Sequence, residues 1–201
     1  MRVLVACEFS GIVRDAFIAQ GHEAVSCDLL PTEKPGPHIQ GDVLEHLDEG
    51  WDMAICHPPC TYLSRAGARW WASEERQRLA QEATDFVRRL WAAPINQIAI
   101  ENPIGQLNQR WRYPTQTIQP WQYGAPYSKA TCLWLKNLPP LYPTRIIRQH
   151  VPLLPSNIGK GRRLGQRWSR GVTRSAHDAS RTFEGIAEAM AMQWGNWRPL
   201  L

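Results

Sequence analysis

A chain of 201 residues, 43% hydrophobic and 20% charged, can bury one sizeable core and carry a small appendage. No apolar run approaches the ~20 residues that cross a bilayer, and Met1 leads straight into Arg2-Val3-Leu4-Val5-Ala6-Cys7, too short for a signal-peptide core. Five cysteines (Cys7, Cys27, Cys56, Cys60 and Cys132), an odd number set mostly in strand-like runs, point to a reduced compartment such as the cytoplasm, and the formal net charge of +5 is unevenly spread.

Residues 2–7 read as a first strand by their apolar and β-branched content. Glu8-Phe9-Ser10-Gly11 is the turn after it. Ile12, Val13, Ala16 and Phe17 then space one helical face over residues 12–20, and Gly21 supplies the stop. A second strand over residues 23–27 ends at Asp28. A glycine turn of this kind brings a ligand close to backbone amides, and an acid at the end of the next strand can hold ribose hydroxyls. The three-glycine dinucleotide fingerprint is absent. Strand, glycine turn and downstream acid together still favour a nucleoside-containing cofactor.

Residues 31–37 form a proline-rich loop, and His38-Ile39-Gln40-Gly41-Asp42-Val43 is a short strand or turn presenting Asp42. A brief helix near residues 44–47 leads into the apolar run Asp52-Met53-Ala54-Ile55-Cys56, which stops at Pro58-Pro59. Proline cannot donate to a sheet ladder, so a buried strand ends here. Cys60 then lies in a loop at the carboxyl end of a strand, where open α/β sheets bind ligands. A thiol there is a nucleophile if something lowers its pKa or removes its proton, and otherwise a small apolar residue at a strand end. Cys56 and Cys60 flank His57 with no second cysteine pair following, so no metal site is expected.

Residues 63–71 are polar, contain Gly67 and carry Arg65 and Arg69, the pattern of a flexible loop. Ser73 caps the next helix, with Glu74 and Glu75 in its first turn and Leu79, Ala83, Phe86, Val87 and Leu90 on its buried face. A strand over residues 97–100 ends in Glu101-Asn102-Pro103, placing a carboxylate on the same sheet edge as Cys60. Two further strands, over residues 115–119 and 130–135, are joined through Trp121-Gln122-Tyr123-Gly124-Ala125-Pro126.

A proline-rich irregular stretch over residues 139–155 precedes a basic one. Between residues 160 and 174 stand Lys160, Arg162, Arg163, Arg167, Arg170 and Arg174 with no acid, beside Trp168 and several glycines. Cations mixed with an aromatic suit a polyanion, with Arg and Lys on phosphates and Trp stacked on a base; a solvated loop is the alternative. A final helix over residues 182–194 turns Phe183, Ile186, Ala187 and Met190 inward, before Gly195-Asn196. The expected division is an α/β domain over residues 1–138, a basic insertion over 139–180 and a returning helix over 181–201, with no internal repeats.

In order and over nearly the whole chain, these stations resemble the cytosine carbon-5 DNA methyltransferase family, in the shape of its compact, phage-type members. Phe9-Ser10-Gly11 resembles the motif lining the S-adenosylmethionine pocket, Asp28 the ribose-binding acid, and Gly41-Asp42 the motif whose acid contacts adenine. Pro59-Cys60, with Ser64 beyond, is similar to the family's Pro-Cys loop, Glu101-Asn102 to its Glu-Asn motif, Tyr123-Gly124-Ala125-Pro126 to the run before its arginine-containing motif, and Gly195-Asn196 to its last motif. Two departures stand out. Thr61 replaces the usual Gln after the cysteine, and Tyr127-Ser128-Lys129-Ala130-Thr131 replaces Gln-x-Arg-x-Arg, leaving Lys129 as the one cation.

The resemblance implies a Rossmann-like methyltransferase sheet with helices on both faces, S-adenosylmethionine as cofactor, DNA as partner, no metal, and a monomer. It assigns Phe9, Ser10, Gly11, Asp28, Asp42, Pro58 and Asn196 to the cofactor. Ser64, Arg65, Arg69, Asn102, Lys129, Arg162, Arg163, Arg167 and Trp168 fall to the substrate. Cys60 would add to carbon 6 of a flipped or single-stranded cytosine. Glu101, its pKa raised by burial, would meet N3 and the exocyclic amine. Three alternatives stay open: an exocyclic-amino methyltransferase, a thymidylate-synthase-like enzyme on free pyrimidine nucleotides, and a catalytically inactive nucleic-acid-binding protein.

Overall fold

The computed structural model describes residues 1–65, 68, 71–154, 172–173 and 180–197. Five apolar runs separated by turns form a parallel ribbon: β1 (Arg2–Ala6), β2 (Glu23–Asp28), β3 (His38–Gln40), β4 (Met53–Cys56) and β5 (Gln97–Pro103). With β6 (Gln116–Ile118) and β8 (Thr131–Lys136) they make a seven-stranded sheet in the order β3-β2-β1-β4-β5-β8-β6. β8 runs antiparallel to both its neighbours. The register sets Val5 against Ile55 and Ile55 against Ala99, so the sheet centre is apolar on both faces, as a strand covered on both sides requires.

The helices cover those faces unequally. α1 (Ile12–Ala19) and α4 (Glu184–Trp194) bury Val13, Phe17, Ile186, Ala187, Met190 and Trp194 against Val3, Val5, Met53, Ile55 and Leu133. On the opposite face α2 (Glu74–Ala92) and the single turn α3 (Leu107–Arg110) bring Val87, Leu90 and Leu107 onto Leu4, Ala54, Ile98, Ile100 and Trp134. Ser73 caps α2, accepting from Arg76 N at 3.3 Å, with Glu74 and Glu75 in the first turn. The fold is thus the Rossmann-like α/β sheet with helices on both faces that the sequence leads one to expect.

Four local expectations shift. The strand expected over residues 97–100 runs on to Pro103, because β8 pairs Leu133 with Glu101 and Cys132 with Asn102; Glu101 therefore lies within a strand, not beyond its end. The brief helix expected near residues 44–47 is a 3-10 turn, Val43–Glu45, capped by the Asp42 carboxylate. The final helix starts at Glu184, two residues later than its apolar spacing implies. The proline-rich stretch ends in β9 (Val151–Leu154), which pairs with β7 (Tyr127–Ser128) and β10 (Val172–Thr173) in a small three-stranded sheet. Among the described residues, no helix is long and apolar enough to cross a membrane.

Candidate active site

The parallel strands β1 to β4 all point their carboxyl ends at one edge of the sheet, and each ends in a residue with chemistry: Cys7, Asp28, Asp42 and His57 lie at or just past them. Beyond β4, Pro58 and Pro59 supply no backbone N–H, so the chain leaves the sheet and presents Cys60. Of the cysteines, Cys60 is the exposed one; Cys7 is half-buried, and Cys27, Cys56 and Cys132 are buried. Burial pushes the Cys56 thiol up to about 12, which leaves it inert as a nucleophile at neutral pH.

The loop that carries Cys60 is held along its length by the segment that follows Glu101. The Asn102 amide donates to Pro58 O at 2.8 Å. Leu63 N and Ser64 N close a turn on Cys60 O at 3.0 and 2.9 Å. Gln106 N donates to Leu63 O at 2.7 Å, Arg65 N to Ile104 O at 3.3 Å, and Ser64 bridges to Gly105. Gly105 admits no side chain, since a Cβ there would sit 1.9 Å from Leu63 O. From the other side, the Arg76 guanidinium donates to Thr61 O and lies 4.6 Å over the Tyr62 ring. Residues 63–65, the start of the segment expected to be a flexible loop, are therefore tied down.

Cys60, Glu101 and Lys129 are close enough for their charges to act on one another. Burial and then the Glu101 carboxylate raise the Cys60 thiol above its ordinary value, while Lys129 and the Cys60 backbone N–H pull it back. Glu101 departs from expectation. Desolvation is the largest single influence and pushes its pKa up, but the hydrogen bond from His57 (joined by its charge when the ring is protonated), the charge of Lys129 and the Thr131 hydroxyl together outweigh it. The carboxyl is therefore held below the ordinary carboxylate value, not above it. His57 Nδ1 stands 3.4 Å from Glu101 Oε2.

On the cofactor side, the Glu8 carboxylate sits at the amino end of α1. Its Oε1 accepts from Val13 N at 2.7 Å and its Oε2 from Arg14 N at 3.2 Å. Anions favour helix amino termini, and here that place is taken by the chain's own side chain. Ser10, expected to touch the cofactor, has its hydroxyl committed instead: it donates to Glu8 Oε1 at 3.0 Å and accepts from Ile12 N at 3.3 Å, and the residue is buried. Gly11 has φ +71, and a Cβ there would lie 2.5 Å from the Arg14 guanidinium, so it is glycine for reasons internal to the turn. Asp28 Oδ1 accepts from Leu30 N at 2.9 Å and Asp42 Oδ1 from Leu44 N at 3.0 Å. Both acids act on Cys7, whose thiol is raised first by burial and then by Cys56, Asp28, Cys27 and Asp42. The two acids thus face a common space at the ends of β1, β2 and β3. Phe9 and His57 line a small cavity with Cys7, Glu8, Ser10 and residues 180–182, and Pro58 follows His57 on the same edge.

Two assigned residues belong elsewhere. Asn196 follows the carboxyl end of α4, where Gly195 packs on His22 ahead of β2 and Gln97, at the start of β5, donates to Trp197 O at 3.4 Å. That is the amino edge of the sheet, opposite the cofactor side, so Asn196 is not a cofactor ligand; the helix runs in the direction that carries it away. Asn102 is buried with its amide on Pro58 O, so it shapes the Cys60 loop and does not reach out to a substrate. Ser64 and Arg65 stand on the turn after Cys60, with Arg65 exposed, and Lys129 faces Cys60 and Glu101. Arg69, Arg162, Arg163, Arg167 and Trp168 lie outside the described residues. Sequence reasoning passes over His57 and Glu8 as functional groups. A histidine directly before the two prolines, and an acid directly after β1, were the available signals. Among the described residues no cluster of His, Cys, Asp and Glu is arranged to hold a metal.

No protein-family model matches the chain. No curated protein matches it either. Among solved structures, it is similar to a protein described as a DNA modification methyltransferase encoded within an E. coli prophage, at 14% identity over 73% of this chain and 52% of that one, with a TM-score of 0.46. It is also similar to an SAM-dependent methyltransferase from Neisseria gonorrhoeae, at 11% identity over 67% of this chain and 60% of that one, with a TM-score of 0.37. The chain spans 52% and 60% of the length of these two.

Proposed function

We propose that this protein is an S-adenosylmethionine-dependent DNA methyltransferase that modifies carbon 5 of cytosine, with Cys60 as nucleophile. The observation that carries the proposal is the 2.8 Å hydrogen bond by which Asn102, the residue after Glu101 on β5, holds the loop that presents Cys60, with the charges of Glu101 and Lys129 both acting on the Cys60 thiol. A thiol, a carboxyl and a cation within mutual reach are what covalent activation of a pyrimidine ring needs.

The donor set of the neighbouring space fits S-adenosylmethionine better than a nucleotide. Asp28 and Asp42 offer acceptors to ribose hydroxyls and an adenine amine, and the Glu8 carboxylate at the start of α1 disfavours any phosphate there. Phe9, Gly11 and Pro58 would complete that site with backbone and apolar surface. When bound, the cofactor supplies an electrophilic methyl group.

Cytosine is a poor carbon nucleophile until a group adds to carbon 6. Cys60 sulfur forms that bond, which moves electron density onto carbon 5 and toward N3. Glu101 meets N3 and the exocyclic amine. Lys129 stabilises the thiolate against the upward pull of Glu101 and burial. Once carbon 5 carries the methyl group, its proton passes to solvent and the freed electron pair expels Cys60 as the thiolate. Arg65 on the turn after Cys60, with Arg69 and the basic residues Arg162, Arg163 and Arg167 beside Trp168, would grip the strand by its phosphates and stack a base. Residues 139–180 then serve as the substrate-binding insertion of a monomer.

The test is incubation with S-adenosylmethionine and DNA carrying 5-fluorocytosine, which blocks loss of the carbon-5 substituent. A denaturation-resistant adduct that is absent in Cys60→Ala supports the proposal. Methyl transfer to an exocyclic nitrogen, an adduct only with a mononucleotide, or DNA binding without transfer would each replace it.

A further inference from the structure

His57 is the buried titratable group that the reaction above leaves unused. Its side chain is only 7% exposed. One ring nitrogen, Nδ1, stands 3.4 Å from Glu101 Oε2, and the other, Nε2, is buried with no hydrogen-bond partner among the described residues. A buried ring nitrogen left without a partner would cost on the order of 1–3 kcal/mol, so Nε2 calls for a water molecule or a ligand atom beside it. The ring is not loosely placed. His57 N donates to Ala6 O at 2.9 Å, extending the β4 pairing with β1, and Pro58 fixes the chain directly after it. His57 also lines the small cavity formed with Cys7, Glu8, Phe9, Ser10 and residues 180–182. It therefore stands between the carboxyl proposed to meet the cytosine ring and a pocket on the cofactor side.

Glu101 has a difficulty that His57 resolves. A carboxylate held ionised accepts from an exocyclic amine well, but it has no proton for N3 when charge builds there. The groups that face this pair are Cys60 from the loop after β4, Lys129 from the turn before β8, Thr131 on β8, and Cys7 and Glu8 after β1, with Arg181 across the cavity. Arg181 is bound to Glu33 by two hydrogen bonds of 2.6 and 2.8 Å. Among the described residues, His57 and the Thr131 hydroxyl are the groups hydrogen-bonded to Glu101, and of the two the imidazole is the general acid–base group.

We propose that His57 is a positioning residue that holds Glu101 through Nδ1 and resupplies it with a proton taken up at Nε2. The inference rests on the cytosine reading above. In the resting site Nδ1 carries the proton and Glu101 is a carboxylate. As the Cys60 sulfur bonds to carbon 6, the Nδ1 proton passes to Glu101 Oε2 and the carboxyl donates its proton to N3. Nε2 binds a proton from a water in the small cavity that His57 lines, leaving the imidazole neutral in its other tautomer. When Cys60 is expelled, N3 returns its proton to Glu101 and the relay runs backward, so no proton is consumed. The 3.4 Å separation is long for a hydrogen bond, as such contacts often are before the substrate binds.

Three proteins separate the outcomes, each as the full chain: wild type, His57→Asn and His57→Ala. Asn can donate from roughly the place of Nδ1 but cannot carry a proton through. Wild type is first tested for the adduct with 5-fluorocytosine DNA; its absence defeats the cytosine reading and takes this inference with it. Where the adduct forms, the expected result is a rate at least tenfold lower in His57→Asn than in wild type, with a pH–rate profile of different shape. A His57→Asn rate and pH profile equal to wild type overturns the relay. Imidazole nitrogen NMR of wild type gives a readout independent of turnover and of how either variant folds. A protonated Nδ1 and a bare Nε2 at neutral pH, with the Nδ1 signal moving in Glu101→Gln, supports the inference. The opposite tautomer, or a signal indifferent to Glu101→Gln, overturns it.

Discussion

Asn102 and Pro58 are joined by a 2.8 Å hydrogen bond running from a side-chain amide on β5 to the carbonyl of the loop that presents Cys60. It is a buried contact between residues far apart in sequence, and it sets the distance between the two candidate reacting groups. Asn102→Ala removes the donor and leaves Pro58 O without it. The expected cost is ~1–3 kcal/mol of stability, read by chemical denaturation, together with a loss of adduct formation larger than that of any change at exposed Arg65.

The thiol of Cys60 is raised by burial and by Glu101 and lowered by Lys129. Without cofactor or DNA, its alkylation by iodoacetamide should therefore rise with a midpoint above the ~8.5 of a free cysteine. Glu101→Gln removes a negative charge and should move the midpoint down. Lys129→Met removes a positive one and should move it up. Opposite shifts from the two variants are the signature; shifts of the same sign would mean the three groups do not share a site.

Glu101 contributes to the acid limb of stability. Its folded-state pKa lies below that of an unfolded glutamate, ~4.3, because His57, Lys129 and Thr131 outweigh the desolvation that pushes it up. The stability it adds is present above ~4.3 and is lost as pH falls through the folded-state value. Denaturation midpoints of wild type and Glu101→Gln should therefore converge as the pH is lowered through the carboxylate range.

Arg14 is the one charged side chain of α1 that is fully buried. It donates to Ser26 Oγ at 3.3 Å, to Thr32 Oγ1 at 3.2 Å and to the carbonyls of Lys34 and Pro35 at 3.2 Å each, and it pairs with Asp15 at 2.8 Å. It thereby ties the proline-rich loop to α1 and β2. Arg14→Met should cost on the order of 3 kcal/mol. It should also open that loop to limited proteolysis, with the rest of the sheet protected.

The sheet is legible in the sequence because its central strands are short apolar runs, each closed by a breaker such as Gly11 after β1 or Pro58 after β4, and because the helical faces keep a helical spacing. Cys60 and Glu101 are legible for the same reason, as chemistry placed beside a stop signal. The state of Glu101 is not legible, since it depends on His57, Lys129 and Thr131, which meet it only once β4, β5 and β8 are neighbours. Gly195-Asn196 matches a motif in letters, but helix direction decides which edge of the sheet it reaches, and spacing alone does not carry that direction. Arg14 stands as the lone cation of α1, beside Asp15, and nothing near it in the sequence names the loop carbonyls it binds.

The Glu8 carboxylate at the start of α1 has a consequence for selectivity in a mixed pool of metabolites. In the proposed site, an adenosine derivative held by Asp28 and Asp42 would bring its 5′ substituent toward a carboxylate that already occupies the helix amides. Triphosphates and pyrophosphates meet repulsion there, whereas a thioether or sulfonium tail meets none. With the cofactor bound as proposed, Glu8 would act as a filter that turns away the most abundant adenine-bearing competitors before any contact with the base itself is made.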